Sequence, residues 1–348
     1  MGGLKYERLR TLPGGIRILH ISRPKRDNDL FECTLRTIEY ERIRETSYQA
    51  LSYEWGNENK DDDPHIIVNG CRVQIRKNLH DALEQIWKTS KDGTMGLWID
   101  ALCINQADAA ETSQQIGFMG EIFKNAHCVF AWLGSERENS NFAMDWMADR
   151  SPSRIPLDPT TTEAMDAICH RSFWQRVWII QELFLARSCV VLCGDRSISR
   201  DNFESSLGDL NATRSQQDLV KNPVVQHMLR RNTGTTKYNT LRTWLGACIR
   251  GGFECSKEHD RIYGLLGVAG DCKGGKIEAK YDKPLRDVYL EALAVTSPWK
   301  PNWDEERIMI PLAKQMNLEV NADLQYSVQM KLSTRFHFGF GPKQDQVT

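Results

Sequence analysis

One carboxylate in this chain stands where a charge is costly. The segment Phe173-Trp174-Gln175-Arg176-Val177-Trp178-Ile179-Ile180-Gln181-Glu182-Leu183 is among the most apolar and aromatic in the protein, and Phe184 and Leu185 follow it. At helical spacing Glu182 lies one turn after Trp178. A carboxylate in such surroundings is unfavourable unless it is paired or used. Paired, it would meet Arg176 or Arg187, or simply face water. Used, a lone carboxylate in a dry pocket stabilises a positive charge as it develops.

Length and charge restrict what such a site could serve. At 348 residues the chain can bury a large core. Lys+Arg number 45 and Asp+Glu 46, so there is no electrostatic footprint for nucleic acid or an anionic membrane. No apolar run approaches the roughly 20 residues that span a bilayer, and the N-terminus lacks an apolar signal core. Tyr6 stands where a myristoylation signal requires Ser or Thr. The expectation is a soluble cytoplasmic protein. The ten cysteines are scattered without a Cys-x-x-Cys pair, which reads as buried free thiols rather than a disulfide framework. The histidines lack ligand spacing, and no metal site is expected.

The elements that would position Glu182 read as an α/β pattern. Residues 16–19 and the alternating residues 31–35 read as strands, as do residues 48–53, which lead into Trp55-Gly56 and a polar loop. Residues 66–68 and 71–75 flank Asn69-Gly70, a hairpin signal. Asn78 is expected to cap an amphipathic helix carrying Leu79, Ala82, Leu83, Ile86 and Trp87 on one face. Residues 97–104 form a mostly apolar run, expected to be a strand buried on both faces. A helix over 108–126 and a strand over 128–133 complete an order typical of a parallel sheet. Prolines 152, 156 and 159 interrupt the pattern. A helix over 173–186 and a strand over 188–194 follow, then helices over 202–210, 238–249, 259–266 and 285–296. Gly264-x-x-Gly267-x-x-Gly270 reads as helix termination. Beyond Ser297 the period dissolves, and Phe336-His337-Phe338 is too short to assign.

Several ordered segments together resemble the fungal heterokaryon incompatibility (HET) domain. They are Tyr48-Gln49-Ala50-Leu51-Ser52-Tyr53-Glu54-Trp55-Gly56, Leu97-Trp98-Ile99-Asp100-Ala101-Leu102-Cys103-Ile104-Asn105-Gln106, the stretch from Gln115 through Trp132-Leu133-Gly134, and residues 173–182. Asp260-Arg261-Ile262-Tyr263-Gly264-Leu265-Leu266-Gly267 resembles a further downstream element of the family. Where the family often carries Glu-Arg this chain has Glu111-Thr112. The resemblance implies a self/non-self recognition module whose activation leads to programmed cell death, acting through an unidentified protein partner and as a homo-oligomer. It also implies distant similarity to Toll/interleukin-1 receptor (TIR) domains, hence a TIR-like or flavodoxin-like parallel sheet flanked by helices. On this reading residues 1–47 are an N-terminal β extension, 48–200 the α/β core, 201–297 a helical C-terminal part and 298–348 a divergent or poorly ordered tail.

TIR domains that cleave NAD carry their glutamate in a Trp-Cys-x-x-Glu-Leu-like helix start. Trp178-Ile179-Ile180-Gln181-Glu182-Leu183 has the same Trp-to-Glu spacing, with Ile179 in place of Cys. The resemblance therefore implies an NAD⁺ glycohydrolase (NADase) in which Glu182 is the catalytic carboxylate and NAD the substrate, with no resident cofactor. A non-catalytic module acting through homotypic assembly is the alternative. Ligands of open parallel sheets bind beyond the carboxyl ends of the strands. Tyr53 or Trp55 would stack on a ring, Gly56 would admit a phosphate to the backbone, and Asn105 and Gln106 would hydrogen-bond ribose or amide. Asp100 reads as a ligand contact or as a buried anchor for the loop after Ile104. Asn105 reads equally as a helix cap and Trp55-Gly56 as a turn. Arg176 would bind a phosphate or neutralise Glu182. Trp98, Trp132, Trp174 and Trp178 read as core.

Overall fold

The computed structural model describes residues 4–9, 14–22, 30–89, 94–149, 151, 157–211, 239–296 and 305–333. Among these, nine strands form one sheet: β1 (Gly15–Ser22), β2 (Glu32–Glu39), β3 (Gln49–Tyr53), β4 (His65–Val68), β5 (Cys71–Gln74), β6 (Thr94–Trp98), β7 (Cys128–Trp132), β8 (Cys189–Cys193) and β9 (Arg196–Ser199). Their spatial order is β5-β4-β2-β1-β6-β3-β7-β8-β9. The central four, β6, β3, β7 and β8, are mutually parallel. In chain order they run 2-1-3-4, the winding of flavodoxin-type sheets. β1 and β2 pair antiparallel along one flank, which makes the N-terminal segment part of the sheet. The β4–β5 hairpin turns through Asn69 and Gly70, both at positive φ as a type I′ turn requires.

Helices α1 (Lys77–Thr89), α2 (Asp100–Cys103), α3 (Ala109–Asn125), α4 (Ser140–Ala148), α5 (Pro159–Cys169), α6 (Ile179–Phe184) and α7 (Arg200–Asn211) accompany the sheet. The apolar face of α1 is buried as its period predicts. Asn78, however, is not its cap. It lies inside the first turn, its Nδ2 donating to the Glu54 carbonyl at 2.5 Å and its Oδ1 accepting from Trp132 Nε1 at 2.8 Å. Asp63 accepts from the Lys77 amide instead. Pro159 does not interrupt structure but opens α5, where its missing N–H costs nothing.

Two expected elements are broken, and both breaks shape the site. The run 97–104 is not one strand. β6 ends at Trp98, and the Ile99 carbonyl accepts from the Leu102 and Cys103 amides to start the single turn α2. A short apolar run cannot distinguish a buried strand from a buried helical turn. The run 173–186 is likewise not one helix. A 3₁₀ turn (Ser172–Gln175) ends at Arg176, which is extended (φ −69°, ψ 130°), before α6 begins. The break is stabilised from outside: the Glu254 amide donates to the Gln175 carbonyl at 2.5 Å and the Val177 amide to the Glu254 carbonyl at 3.0 Å.

The later helices are Leu241–Gly251, Asp260–Tyr263, Leu285–Thr296, Ile310–Gln315 and Ala322–Ser333. The last two lie where the sequence period had dissolved, and both pack onto the core through Leu312, Ala313, Leu324 and Val328. The expected helix 259–266 shrinks to one turn. Gly264 and Gly267 are close-approach residues rather than left-handed caps: a Cβ on Gly264 would lie 2.8 Å from Val177, and one on Gly267 would lie 2.4 Å from Gln181 and 3.0 Å from Gly120. These contacts seat the C-terminal helices directly against α3 and α6. Phe336, His337 and Phe338 lie outside the described residues.

A buried ion pair ties the N-terminal flank to the loop beyond β6. Arg17, in β1, donates to both carboxylate oxygens of Glu111 (2.6 and 2.9 Å) and to the Cys103 carbonyl (3.0 Å), while Glu111 also accepts from the Asn105 amide at 2.7 Å. Removing one partner leaves a buried charge uncompensated. Glu111→Ala is expected to cost about 3–5 kcal/mol in urea-unfolding experiments. The double variant Arg17→Met/Glu111→Leu is expected to recover most of that loss, and equal losses in the single and double variants would contradict this account.

Candidate functional site

Beyond the carboxyl ends of β3 and β6 lies a cleft of about 680 Å³, within the usual range of small-molecule sites. Glu182 reaches its floor from α6 and is only 3 % exposed. Its Oε2 accepts from the Ser52 hydroxyl at 2.5 Å and lies 3.7 Å from Arg176 Nη1. Burial raises its pKa, and the nearby Asp100 carboxylate adds to the shift; Arg176 and Ser52 act in the opposite direction. Of the two arginines considered as partners in the sequence, Arg176 is the one at the carboxylate, while Arg187 donates to Asn125. Pairing does not remove Glu182 from use, because the contact is long and the carboxylate still borders the cleft.

The strand-end residues divide into two groups. Trp55, Gly56, Asp100, Gln106 and Arg176 line the cleft with Glu182. Trp55 is half-buried, and its Nε1 donates to Asp100 Oδ2 at 2.8 Å. Gly56 has φ +72°, a left-handed conformation that other residues reach at a cost, and its carbonyl accepts from Arg76 Nη1 at 2.7 Å. Asp100 opens α2 rather than lying inside a strand; its Oδ1 accepts from the Ala101 amide at 2.7 Å. Burial raises the Asp100 pKa against the lowering influence of Arg176 and of the Trp55 hydrogen bond. Gln106 is exposed, and its Nε2 donates to the Asp100 carbonyl at 2.9 Å.

Tyr53 and Asn105 do not border the cleft. Tyr53 is buried behind it, and its hydroxyl donates to Asp100, so burial and that carboxylate hold the phenol well above its ordinary pKa. It supports the floor instead of stacking on a ligand. The Asn105 side chain accepts from the Ala107 amide at 3.3 Å, closing a turn, and Asp108 rather than Asn105 caps α3. Trp98, Trp132 and Trp174 are core residues as expected, but Trp178 is half-buried and lines the cleft. Ser52 and Asp260 were not among the candidates. Ser52 is the one polar side chain within the buried run Ala50-Leu51-Ser52-Tyr53, and that anomaly is its sequence signal. Asp260 begins the downstream segment that resembles the family, but nothing near it in sequence points to the cleft, which its buried carboxylate meets through tertiary packing.

This arrangement occupies a chain segment with known relatives. Residues 48–182 match the family described as heterokaryon incompatibility protein (HET). This segment is similar to a HET domain. The matched span begins just before β3 and ends on Glu182 itself, so it contains both strand-end loops and the buried carboxylate. The chain is 25 % identical over 336 residues to heterokaryon incompatibility protein 6, OR allele, of Neurospora crassa, a match covering 75 % of this chain and 48 % of that protein. The chain thus spans about half the length of that curated relative. No solved structure matches it. Among the described residues no helix is long and apolar enough to cross a membrane.

The buried carboxylate at the end of the matched segment has a stability consequence. Burial makes the folded protein hold the Glu182 proton to higher pH than the unfolded chain does. Between those two pKa values the folded state binds more protons, so stability falls as pH rises. Above both, the ionised group is a constant penalty. Glu182→Gln removes that penalty, and at pH 7.5 the variant is expected to melt about 1–3 °C higher than the parent. The difference closes below the ordinary carboxylate range, where both side chains are neutral. Thermal melts at the two pH values check this, and a lower melting temperature for the variant at pH 7.5 would contradict it.

Proposed function

We propose that this chain is a fungal heterokaryon-incompatibility effector that drives cell death by cleaving the nicotinamide–ribose bond of NAD⁺, with Glu182 as the catalytic carboxylate. The observation that carries this reading is the position of Glu182: a buried carboxylate at the floor of a ligand-sized cleft, beyond the carboxyl ends of parallel strands. The Trp178-to-Glu182 spacing and the HET match support it.

The reaction asks little of the protein. Nicotinamide leaves as a neutral base taking the bonding pair, so no general acid is needed. The ribose becomes oxocarbenium-like, and a carboxylate beside it stabilises that charge. Water then adds at the anomeric carbon and loses a proton, giving ADP-ribose. Glu182 must be ionised to act. Ser52 fixes the orientation of its carboxylate, and Arg176 favours the ionised form. The half-buried indoles of Trp55 and Trp178 offer apolar surface for the planar nicotinamide.

The test is nicotinamide release from NAD⁺ by the purified full chain, in dilute and in concentrated, self-associated samples. Glu182→Gln is expected to reduce the rate at least about 100-fold, the scale of losing one preorganised electrostatic stabiliser. Equal rates for parent and variant would overturn the catalytic reading. Cell death that persists in a Glu182→Gln strain but is lost when self-association is broken would favour a non-catalytic assembly module.

The pH profile adds an independent check. The acid limb of kcat/KM is expected above the ordinary glutamate pKa of 4.5, because burial raises Glu182. Arg176→Gln removes the cation that opposes this shift and is expected to move the limb to still higher pH. Movement to lower pH would contradict the assignment.

A further inference from the structure

One wall of the cleft comes from outside the matched segment. Residues 254–257, Asp260 and Tyr281 face the same space as Glu182, although the HET match ends at residue 182. This wall is held rigidly. Glu254 forms the two backbone hydrogen bonds that flank Arg176. Arg261 donates to the Phe253 carbonyl at 3.1 Å and to the Gln315 carbonyl at 2.7 Å, which anchors the wall to the helix Ile310–Gln315. Asp260 is buried and accepts from the Tyr281 hydroxyl at 2.5 Å and from the Trp178 indole N–H. It thereby fixes two of the rings that line the cleft. Tyr281 in turn carries Lys257, whose ammonium lies 4.1 Å from the ring centroid.

A second cation reaches the rim from the matched segment. The Arg76 guanidinium lies over the Trp55 ring, 5.3 Å from its centroid, and is oriented by the Gly56 carbonyl. Among the described residues neither Arg76 nor Lys257 forms an ion pair with a carboxylate. The interior is of the opposite sign, with Asp100 and Glu182 on the floor and Asp260 in the wall. A cleft with cations at the rim and carboxylates at the floor suits a ligand that is anionic in one part and cationic or hydroxyl-rich in another. Phosphate oxygens match the rim, and ribose with the pyridinium ring still bonded to it matches the floor.

We infer that Lys257 and Arg76 together bind the pyrophosphate of a ribose-bearing dinucleotide, so that the phosphate-recognition half of the site is shared between the matched segment and the wall formed by residues 254–281. The inference rests on the proposed reading of the cleft as a nucleotide site. It extends that reading by assigning substrate anchoring to a residue beyond the family match and by making the C-terminal helices part of the site rather than an appendage.

ADP-ribose is the probe, because it keeps the pyrophosphate and lacks the scissile bond; adenosine, which lacks phosphate, is the control. Isothermal titration with the full chain is expected to show ADP-ribose affinity that weakens as salt rises. Lys257→Ala and Arg76→Ala are each expected to weaken it about tenfold, and the double variant more than either. Lys257→Arg restores binding, and adenosine is insensitive to all the substitutions. Lys257 is exposed, so its variants keep the fold, which unchanged melting temperatures would verify. Wild-type-like ADP-ribose affinity in the single and double variants overturns the inference, as does absence of ADP-ribose binding to the parent. The NAD⁺ assay separates the two proposals. Nicotinamide release whose KM ignores both substitutions retains the reaction and removes the clamp. Rim-dependent ADP-ribose binding without any nicotinamide release retains the clamp and removes the reaction.

Discussion

The contact on which this structure turns is that between Glu182 and Ser52. A carboxylate buried to this extent cannot remain there without compensation. Ser52, the penultimate residue of β3, supplies a hydrogen bond, and Arg176 supplies a cation too distant for a tight pair. The result is an acid held in place but incompletely neutralised. Purely structural ion pairs in the same protein look different. Arg17 and Glu111 meet through two short hydrogen bonds with the remaining acceptor capacity used by a backbone amide. That pair is closed, whereas the Glu182 cluster is open on one side to the cleft.

The geometry of that opening depends on the two places where regular structure fails. Had the run 97–104 continued as a strand, Asp100 would sit within the sheet instead of turning into α2, where its carboxylate can meet Trp55 and Tyr53. Had the run 173–186 continued as a helix, Arg176 would have no extended backbone to pair with Glu254. Each break therefore brings one charged side chain to the cleft. The two groups are coupled, since Asp100 raises the Glu182 pKa and Arg176 lowers both.

Much of this was legible in the residues. The parallel strands, the type I′ hairpin, the amphipathic face of α1 and the location of the cleft beyond β3 and β6 follow from period, turn chemistry and the rules of open sheets. The strand-end rule placed Trp55, Gly56 and Gln106 at a site, the family resemblance added Glu182, and the structure brings these to one cleft with Asp100 and Arg176. The rule misjudged Tyr53 and Asn105, because strand-end position does not say which way a side chain turns. Alternation within β3 sends Ser52 toward Glu182, while the Tyr53 phenol is taken up by Asp100. The two broken elements escaped for a different reason. Apolar runs such as Leu97-Trp98-Ile99 and Val177-Trp178-Ile179 stay buried whether extended or helical, so the pattern of hydrophobic residues carries no mark of where the backbone changes course. What sets the second break is an exchange of hydrogen bonds with a residue 78 positions later, counted from Arg176 to Glu254, and no local window contains it.

That long-range exchange also bears on what the functional unit is. The HET match ends at residue 182, yet the backbone that presents Arg176 is held by Glu254, and the rings of Trp178 and Tyr281 are held by Asp260. Close packing of Gly267 on Gly120 and Gln181 brings the two parts of the chain into direct contact at that point. Arg261 then carries the constraint to the helix Ile310–Gln315, in the region where sequence periodicity is weakest. The floor of the cleft is thus contributed by the matched segment and its shape by the helices that follow. The wall beside Glu182 includes the aromatic rings of Trp178 and Tyr281, fixed by a second buried acid, Asp260.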